Sequence, residues 1–251
     1  LQIDYQSKRF WFHHRSNISL HVIETSSNYY NIEQSRKITE SYDLQLTLLT
    51  DFKLPEVANY ILHKVKTPFV MRLDADGSMP AKTIKELVNK QVMHLNSVII
   101  GSRFVSGGGY KGIQDIGETT FFEAVQNVRK SNDSVFGMVA STLFNKLLIF
   151  LLSSKVKDLT SGFIVGRKEN FKKEMFEISS YGEYFVYLVS DLVQNKKSII
   201  ELGYVCETRM HGQSKTASSI LQLISRGIPY IRAAIICRRK QWILKINPII
   251  F

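Results

Sequence analysis

Phe69-Val-Met-Arg-Leu-Asp-Ala-Asp-Gly-Ser-Met-Pro80 is the stretch whose reading decides the fold. Phe69 to Leu73 is an apolar run bounded by Pro68 on one side and by Gly77 and Pro80 on the other, the pattern of a buried strand. The run stops on two carboxylates one residue apart, which packing alone rarely requires. Asp74 and Asp76 project from the same side of the turn, and two hard oxygen donors there can hold Mg²⁺ or Mn²⁺ against a diphosphate. Ligands of open α/β sheets bind at the carboxyl ends of strands, where this turn falls. A plainer reading stands beside it: the two side chains cap the helix that begins near Ala81.

Outward from this strand, Ile18 to Ile23, Leu44 to Leu49 and Ser97 to Gly101 all read as strands. Helices are expected over 32–41, 55–66 and from Pro80 to about Leu95. Strands alternating with helices of this length imply an α/β fold with a mostly parallel central sheet and right-handed crossovers. Gly107-Gly108-Gly109 and the polar residues to Asp115 read as a flexible lid rather than a phosphate cradle, since no Lys-Ser/Thr follows them. Helices are expected over 118–130 and 134–153, a short strand over Phe163 to Gly166, a helix over Glu183 to Gln194 and a strand over Ser198 to Glu207. Residues 1–17 read as an irregular arm, and Ala217 to Trp242 as an amphipathic basic segment interrupted by Gly227 and Pro229.

The chain of 251 residues fits one large α/β domain or two small ones, with ample length for a real core. Its formal net charge of +11 asks for an anionic partner, and no acidic residue follows Glu207, so the excess sits in the C-terminal part. That partner is an acidic lipid surface, a phosphorylated substrate or nucleic acid; for the last only the charge speaks, since the aromatic-and-basic motifs of a reader are missing, and no nucleic acid is expected. Cys206 and Cys237 have neither metal-ligand spacing nor a disulfide framework, which points to a reducing compartment. The most apolar run, Leu143 to Leu152, contains Lys146 and is about half the roughly 20 residues that cross a bilayer, so it reads as a buried or interfacial helix.

Four blocks resemble family 2 glycosyltransferases, in particular the branch of dolichyl-phosphate mannosyltransferase and its bacterial polyprenyl-phosphate relatives. Val70 to Pro80 resembles the family's Asp-x-Asp strand end, and Ile99 to Gly108 its Ser-Arg segment. Asp158-Leu-Thr-Ser-Gly-Phe163 is similar to its acceptor-side turn, and Glu201 to Lys215 to its Glu, Arg and Gly-x-Ser-Lys series. The resemblance covers roughly 18–216 and implies a nucleotide-diphospho-sugar transferase (GT-A) domain there, with 1–17 as an arm and 217–251 as a membrane-proximal tail. The family's opening strand, ending in Pro, an aromatic and Asn-Glu, has no counterpart. Either the chain is truncated, or Ile18 to Ile23 is that strand in diverged form. The family's arginine before the Ser of its mid-chain helix is also missing: Gly137 stands there if Ser141 and Asn145 are matched, with Arg129 or Lys130 as substitutes.

The resemblance implies inverting transfer of a sugar from a nucleotide diphosphate, GDP-mannose or a UDP-sugar, to a polyprenyl phosphate. Asp74 and Asp76 would bind the cation, Mg²⁺ or Mn²⁺; Arg103, Arg209, Ser214 and Lys215 would hold phosphate oxygens. Glu24 would contact the nucleotide ribose or be a plain strand-end carboxylate, and Ser161 and Gly162 would serve the acceptor side. A phosphate monoester is largely dianionic at neutral pH, its second pKa being about 6. Asp158 is therefore expected to orient groups in the site rather than to deprotonate, or to form an Asx-type turn. Asp76, Arg103, Asp158, Arg209 and Lys215 make up the set expected at the reacting groups. A polyprenol acceptor implies a cytoplasmic protein peripheral at an anionic membrane surface, with Ile220, Leu221, Leu223, Ile224, Ile228, Ile231, Ile235 and Ile236 facing acyl chains and Arg226, Arg232, Arg238 and Arg239 the headgroups; the alternative is that these residues pack against the domain. The alternatives are a transferase for a soluble or growing glycan, and a truncated, inactive membrane-binding homologue.

Overall fold

The computed structural model describes residues 21–24, 32–33, 35–37, 40, 45–48, 56, 59, 62–64, 66–74, 78–110, 113–114, 135–180, 182–207 and 220–246. The strands are β1 (His21–Glu24), β2 (Gln45–Leu48), β3 (Phe69–Arg72), β4 (Ser97–Ser102), β5 (Gly109–Tyr110), β6 (Ile113–Gln114), β7 (Ile164–Arg167), β8 (Ser198–Gly203) and β9 (Val205–Cys206). The helices are α1 (Ala81–Met93), α2 (Val135–Leu152), α3 (Lys173–Glu177), α4 (Tyr184–Gln194) and α5 (Ile220–Ile246). The described residues of the segments expected to be helical at 32–41 and 55–66 are helical in most cases. The arm at 1–17 and the helix expected over 118–130 lie outside the described residues.

The central sheet has the order β3-β7-β4-β8, and β1 pairs with β2 in parallel. β4 and β8 run parallel, while β7 is antiparallel to both β3 and β4. Three strands of the central sheet thus share one direction and a single reversed strand lies among them. The mostly parallel α/β sheet expected from the sequence is observed, with β7 as its one departure. Reversal of β7 has a consequence for position: its beginning, not its end, lies beside the ends of β3 and β4, with Ile164 opposite Arg72 and Ile100.

All six residues of β4 are buried, and its side chains alternate between two cores as the period of a strand requires. Val98 and Ile100 enter the larger core, with Leu148 and Leu152 of α2, Phe185, Leu188 and Leu192 of α4, and Ala233, Ala234 and Cys237 of α5. Ile99 points the other way, toward Leu87 of α1, Phe163 and Tyr204. A sheet covered by helices on both faces explains why β4 reads as an unbroken apolar run.

Two expectations change. The strand expected over Ser198 to Glu207 divides at Tyr204: β8 pairs with β4, and β9 leaves to pair with β5. The glycine segment begins as packed structure rather than a lid. A Cβ on Gly108 would stand 2.7 Å from the Ser102 carbonyl oxygen, and one on Gly203 would meet Gly108 N at 2.6 Å, so close backbone approach is what selects glycine here.

α5 runs through Gly227 and Pro229 without a break. Proline removes one helical hydrogen bond, and packing against α2 and α4 compensates; Tyr230 meets Phe144 edge to face at 5.8 Å. Of the isoleucines expected to face a membrane, Ile228 and Ile235 are exposed, whereas Ile236 packs against the core. Among the described residues no helix is long and apolar enough to cross a membrane.

Candidate active site at the carboxyl edge of the sheet

Because β7 is reversed, the turn 157–163 that precedes it arrives at the edge where β3 and β4 end. That edge gathers Asp74, Arg103, Asp158, Ser161 and Gly162, five of the residues singled out in the sequence. Asp76, Arg209, Ser214 and Lys215 lie outside the described residues; Glu24 ends β1, and only its backbone is described.

Asp158 is the anchor of the turn. It is fully buried, and its carboxylate accepts from Arg103 Nε at 2.8 Å, Arg103 Nη2 at 2.8 Å and the Arg103 backbone N–H at 3.0 Å. It also accepts the Thr160 N–H at 3.1 Å, which is the Asx-type turn, so Asp158 serves as turn former and ion-pair partner at once. Arg103 Nη2 further donates to Thr160 Oγ1 at 2.6 Å. Burial works against the Arg103 charge, but Asp158 outweighs it and holds the guanidinium well above its ordinary value. Arg103, expected on a substrate phosphate, thus directs this face of its fork at the protein's own carboxylate.

Two further side chains fix the same turn, and sequence reasoning assigns neither of them a role. Glu201 of β8 accepts the Lys157 N–H at 2.9 Å and the Asp158 N–H at 3.1 Å. Burial raises its pKa; the N–H groups of Lys157 and Asp158 and the Ser102 hydroxyl pull the other way without cancelling the effect. Asn145 of α2 accepts the Leu159 N–H at 2.9 Å and donates to the Lys157 carbonyl. Glu201 opens the last block that resembles the family, and Asn145 enters only through the Ser141 and Asn145 alignment of the mid-chain helix; those were the available signals.

Beyond the turn, the Ser161 hydroxyl donates to the Gly101 carbonyl and accepts the Phe163 N–H at 3.3 Å. Gly162 has φ of +68°, and a Cβ there would lie 2.8 Å from Arg72 Nη1. The left-handed backbone favours glycine, and a Cβ would also have to displace the Arg72 guanidinium. Arg72, which carries no role in the sequence reading, ties the pieces together: it donates to the Gly162 carbonyl at 3.0 Å and to Asp74 Oδ1 at 3.1 Å, and lies 4.9 Å from the centre of the Tyr184 ring. Burial pushes Tyr184 up to about 12, with Arg72 opposing, so the phenol stays protonated.

Asp74 is the open member of the group, with 48% of its side chain accessible. It does not cap α1, which starts behind Pro80 without a side-chain cap bond. An exposed carboxylate at a strand end, with Arg72 on one oxygen, suits a hard divalent cation whose other ligands come from a diphosphate. Among the described residues no three His, Cys, Asp or Glu side chains form a complete metal cage. A cavity of roughly 520 Å³ lies elsewhere, at the far end of β3 and β7 beside Asn59, Pro68 and Arg167, and shares no residue with this group.

No protein-family model and no curated protein matches the sequence. Solved structures do match. Glucosyl-3-phosphoglycerate synthase from Mycobacterium tuberculosis in complex with uridine diphosphate superposes with a TM-score of 0.55 at 10% identity, over 95% of this chain and 77% of the other. The same synthase with phosphoglyceric acid gives 0.55 at 12% identity, over 87% and 68%. With Mn²⁺, uridine diphosphate and glucosyl-3-phosphoglycerate it gives 0.52 at 11%, over 87% and 68%. The chain has the nucleotide-diphospho-sugar transferase (GT-A) fold. In this fold the group around Asp158 and Asp74 lies at the sheet edge where ligands of α/β proteins bind.

Proposed function

We propose that the chain is a glycosyltransferase that moves a sugar from a nucleotide diphosphate to a phosphorylated acceptor, and that the acceptor is a polyprenyl phosphate. What supports the reading is one arrangement: an exposed carboxylate, Asp74, stands at the end of β3 beside a rigid turn whose cations and carboxylates already satisfy one another. Asp74, with Asp76, would hold Mg²⁺ or Mn²⁺, which supplies charge neutralisation for a departing diphosphate. Arg103 and Asp158 act as positioning residues that fix the entry to β7; the acceptor phosphate needs no base, being already a nucleophile. Arg209, Ser214 and Lys215 are assigned to phosphate oxygens, Ser161 and Gly162 to the acceptor side and Glu24 to the ribose, on the family resemblance. On the same basis residues 18–216 form the transferase unit and 217–251 a basic tail at a cytoplasmic membrane surface.

A second reading keeps the donor side and takes a small soluble phosphate monoester that carries a carboxylate as acceptor. It is favoured by the matched synthase, whose bound ligands are phosphoglyceric acid and glucosyl-3-phosphoglycerate. The test is transfer of radiolabelled sugar from GDP-mannose, UDP-glucose and UDP-N-acetylglucosamine to polyprenyl phosphate or to 3-phosphoglycerate, with Mn²⁺ or EDTA. Metal-dependent label in the organic phase, lost in Asp76→Ala, is the expected result. A metal-dependent, labelled water-soluble product distinct from the donor selects the second reading, and no new product with any donor sinks both.

A further inference from the structure

α2 and α5 lie side by side and run in the same direction: Phe144 packs on Tyr230 near the start of the contact, and Arg238 Nη1 donates to the Leu152 carbonyl at its end, 3.4 Å away. At about 100° per residue, Leu143, Leu147 and Phe150 fall on one stripe of α2, opposite the buried Asn145, Leu148 and Leu152. They are 60%, 41% and 79% exposed. On α5 the same rotation brings Ile228 and Ile235, 57% and 41% exposed, next to the seam with α2. The two stripes therefore adjoin across the seam and form one apolar face.

Cations border that face on both outer sides. On α2, Lys146 is exposed and follows the stripe away from the seam; on α5, Arg232 and Arg239 are exposed and lie just beyond Ile228 and Ile235. Neither helix contains a single Asp or Glu. An apolar band with flanking cations and no anion matches the layering of a bilayer surface, where acyl chains lie beneath anionic headgroups. It does not match a second copy of the chain, because a two-fold contact through this face would bring the bordering cations of one copy onto those of the other. Single exposed apolar side chains are ordinary; five that adjoin on two packed helices are not.

We propose that α2 and α5 form a two-helix interfacial face that seats on an anionic lipid surface, with Leu143, Leu147, Phe150, Ile228 and Ile235 in the acyl boundary and Lys146, Arg232 and Arg239 at the headgroups. The face rests on the membrane-borne acceptor reading, yet the two fail separately, because lipid binding is measured without donor or acceptor. α2 also carries Asn145, whose amide holds the 157–159 turn, so the helix that touches lipid is the one that fixes the acceptor side of the site.

The experiment is co-sedimentation of the full chain with vesicles of phosphatidylcholine alone or mixed with phosphatidylglycerol. Binding is expected to the mixed vesicles, to weaken with salt, and to fall at least tenfold in Phe150→Glu and in Ile228→Glu. Met93→Glu, at an equally exposed apolar position on α1, is the control and should bind like the parent. Arg232→Gln and Arg239→Gln should each lower binding to mixed vesicles about fivefold and flatten the salt dependence. Thermal melting of each variant establishes that it is folded. The proposal is overturned if the parent binds neither vesicle, if Phe150→Glu binds as well as the parent, or if sedimentation equilibrium shows a dimer that Phe150→Glu dissolves.

Discussion

Asp158 and Asp74 stand at the same edge of the sheet, but Asp158 is wholly buried in a bonded turn while about half of the Asp74 side chain faces solvent. Arg103, Thr160, Glu201 and Asn145 all hold the turn around Asp158. Asp74 is held through Arg72 alone among the side-chain bonds described for its carboxylate. The difference separates two jobs a carboxylate can have. One that is buried and saturated shapes its surroundings and has little capacity left for a ligand; one that is exposed costs little to leave open and can take a cation.

The most direct way to break the contrast is to remove Asp158. Asp158→Ala leaves the Arg103 guanidinium buried beside no carboxylate and releases two backbone N–H groups, at an expected cost of about 3–5 kcal/mol. Urea unfolding measures it, and the double variant Arg103→Met, Asp158→Leu should regain a large part of the loss, since a buried charge then no longer stands alone. A loss under about 1 kcal/mol would mean that the turn does not depend on the pair.

A smaller effect is expected one layer back. Glu201→Gln keeps one acceptor for the 157–158 turn but turns an amide donor toward a backbone N–H, which should cost about 1–3 kcal/mol. The wild-type residue also predicts a pH dependence. Its pKa is raised in the folded chain, so the folded state holds that proton more tightly than the unfolded state does. The contribution of Glu201 to stability is therefore greatest at pH below the ordinary glutamate value of 4.5, declines as pH rises through the raised folded value, and is level above it. Unfolding free energies of wild type and Glu201→Gln between pH 4 and 7 should differ by this decline, and parallel profiles would refute it.

Local pattern carried the strands and helices well. Phe69–Arg72 and Ser97–Ser102 are apolar runs between Pro, Gly and polar boundaries, and such runs declare themselves without knowledge of their partners. The direction of β7 was not legible, because Ile164–Arg167 has the same side chains whichever way it pairs; only its neighbours β3 and β4 set it. The break at Tyr204 was hidden for the same reason, since it shows only in the change of partner from β4 to β5. In the site, the Asx-type turn of Asp158 could be read from residues two apart, but its bond to Arg103 spans 55 positions and Glu201 reaches it from 43 positions away. The apolar run Leu143 to Leu152 reads as buried or interfacial, and in the fold α2 is buried on one stripe and exposed on the other.

The smallest stability effect should come from Asp74, and that smallness is what sharpens the comparison. Asp74→Ala removes one half-exposed partner of Arg72, whose guanidinium keeps the Gly162 carbonyl and the Tyr184 ring. A pair this accessible contributes about 0–1 kcal/mol, so urea unfolding should hardly move. Metal-dependent binding of a nucleotide diphosphate, followed by titration calorimetry with Mn²⁺, should by contrast weaken at least tenfold, because a lost hard-oxygen ligand is not replaced by solvent at equal strength. Asp74→Asn keeps the size and one carbonyl oxygen, and should fall between the two. If Asp74→Ala instead unfolds the chain while nucleotide binding per folded molecule stays unchanged, then Asp74 belongs with Asp158 among the residues that build the edge, and the cation must be held by other residues.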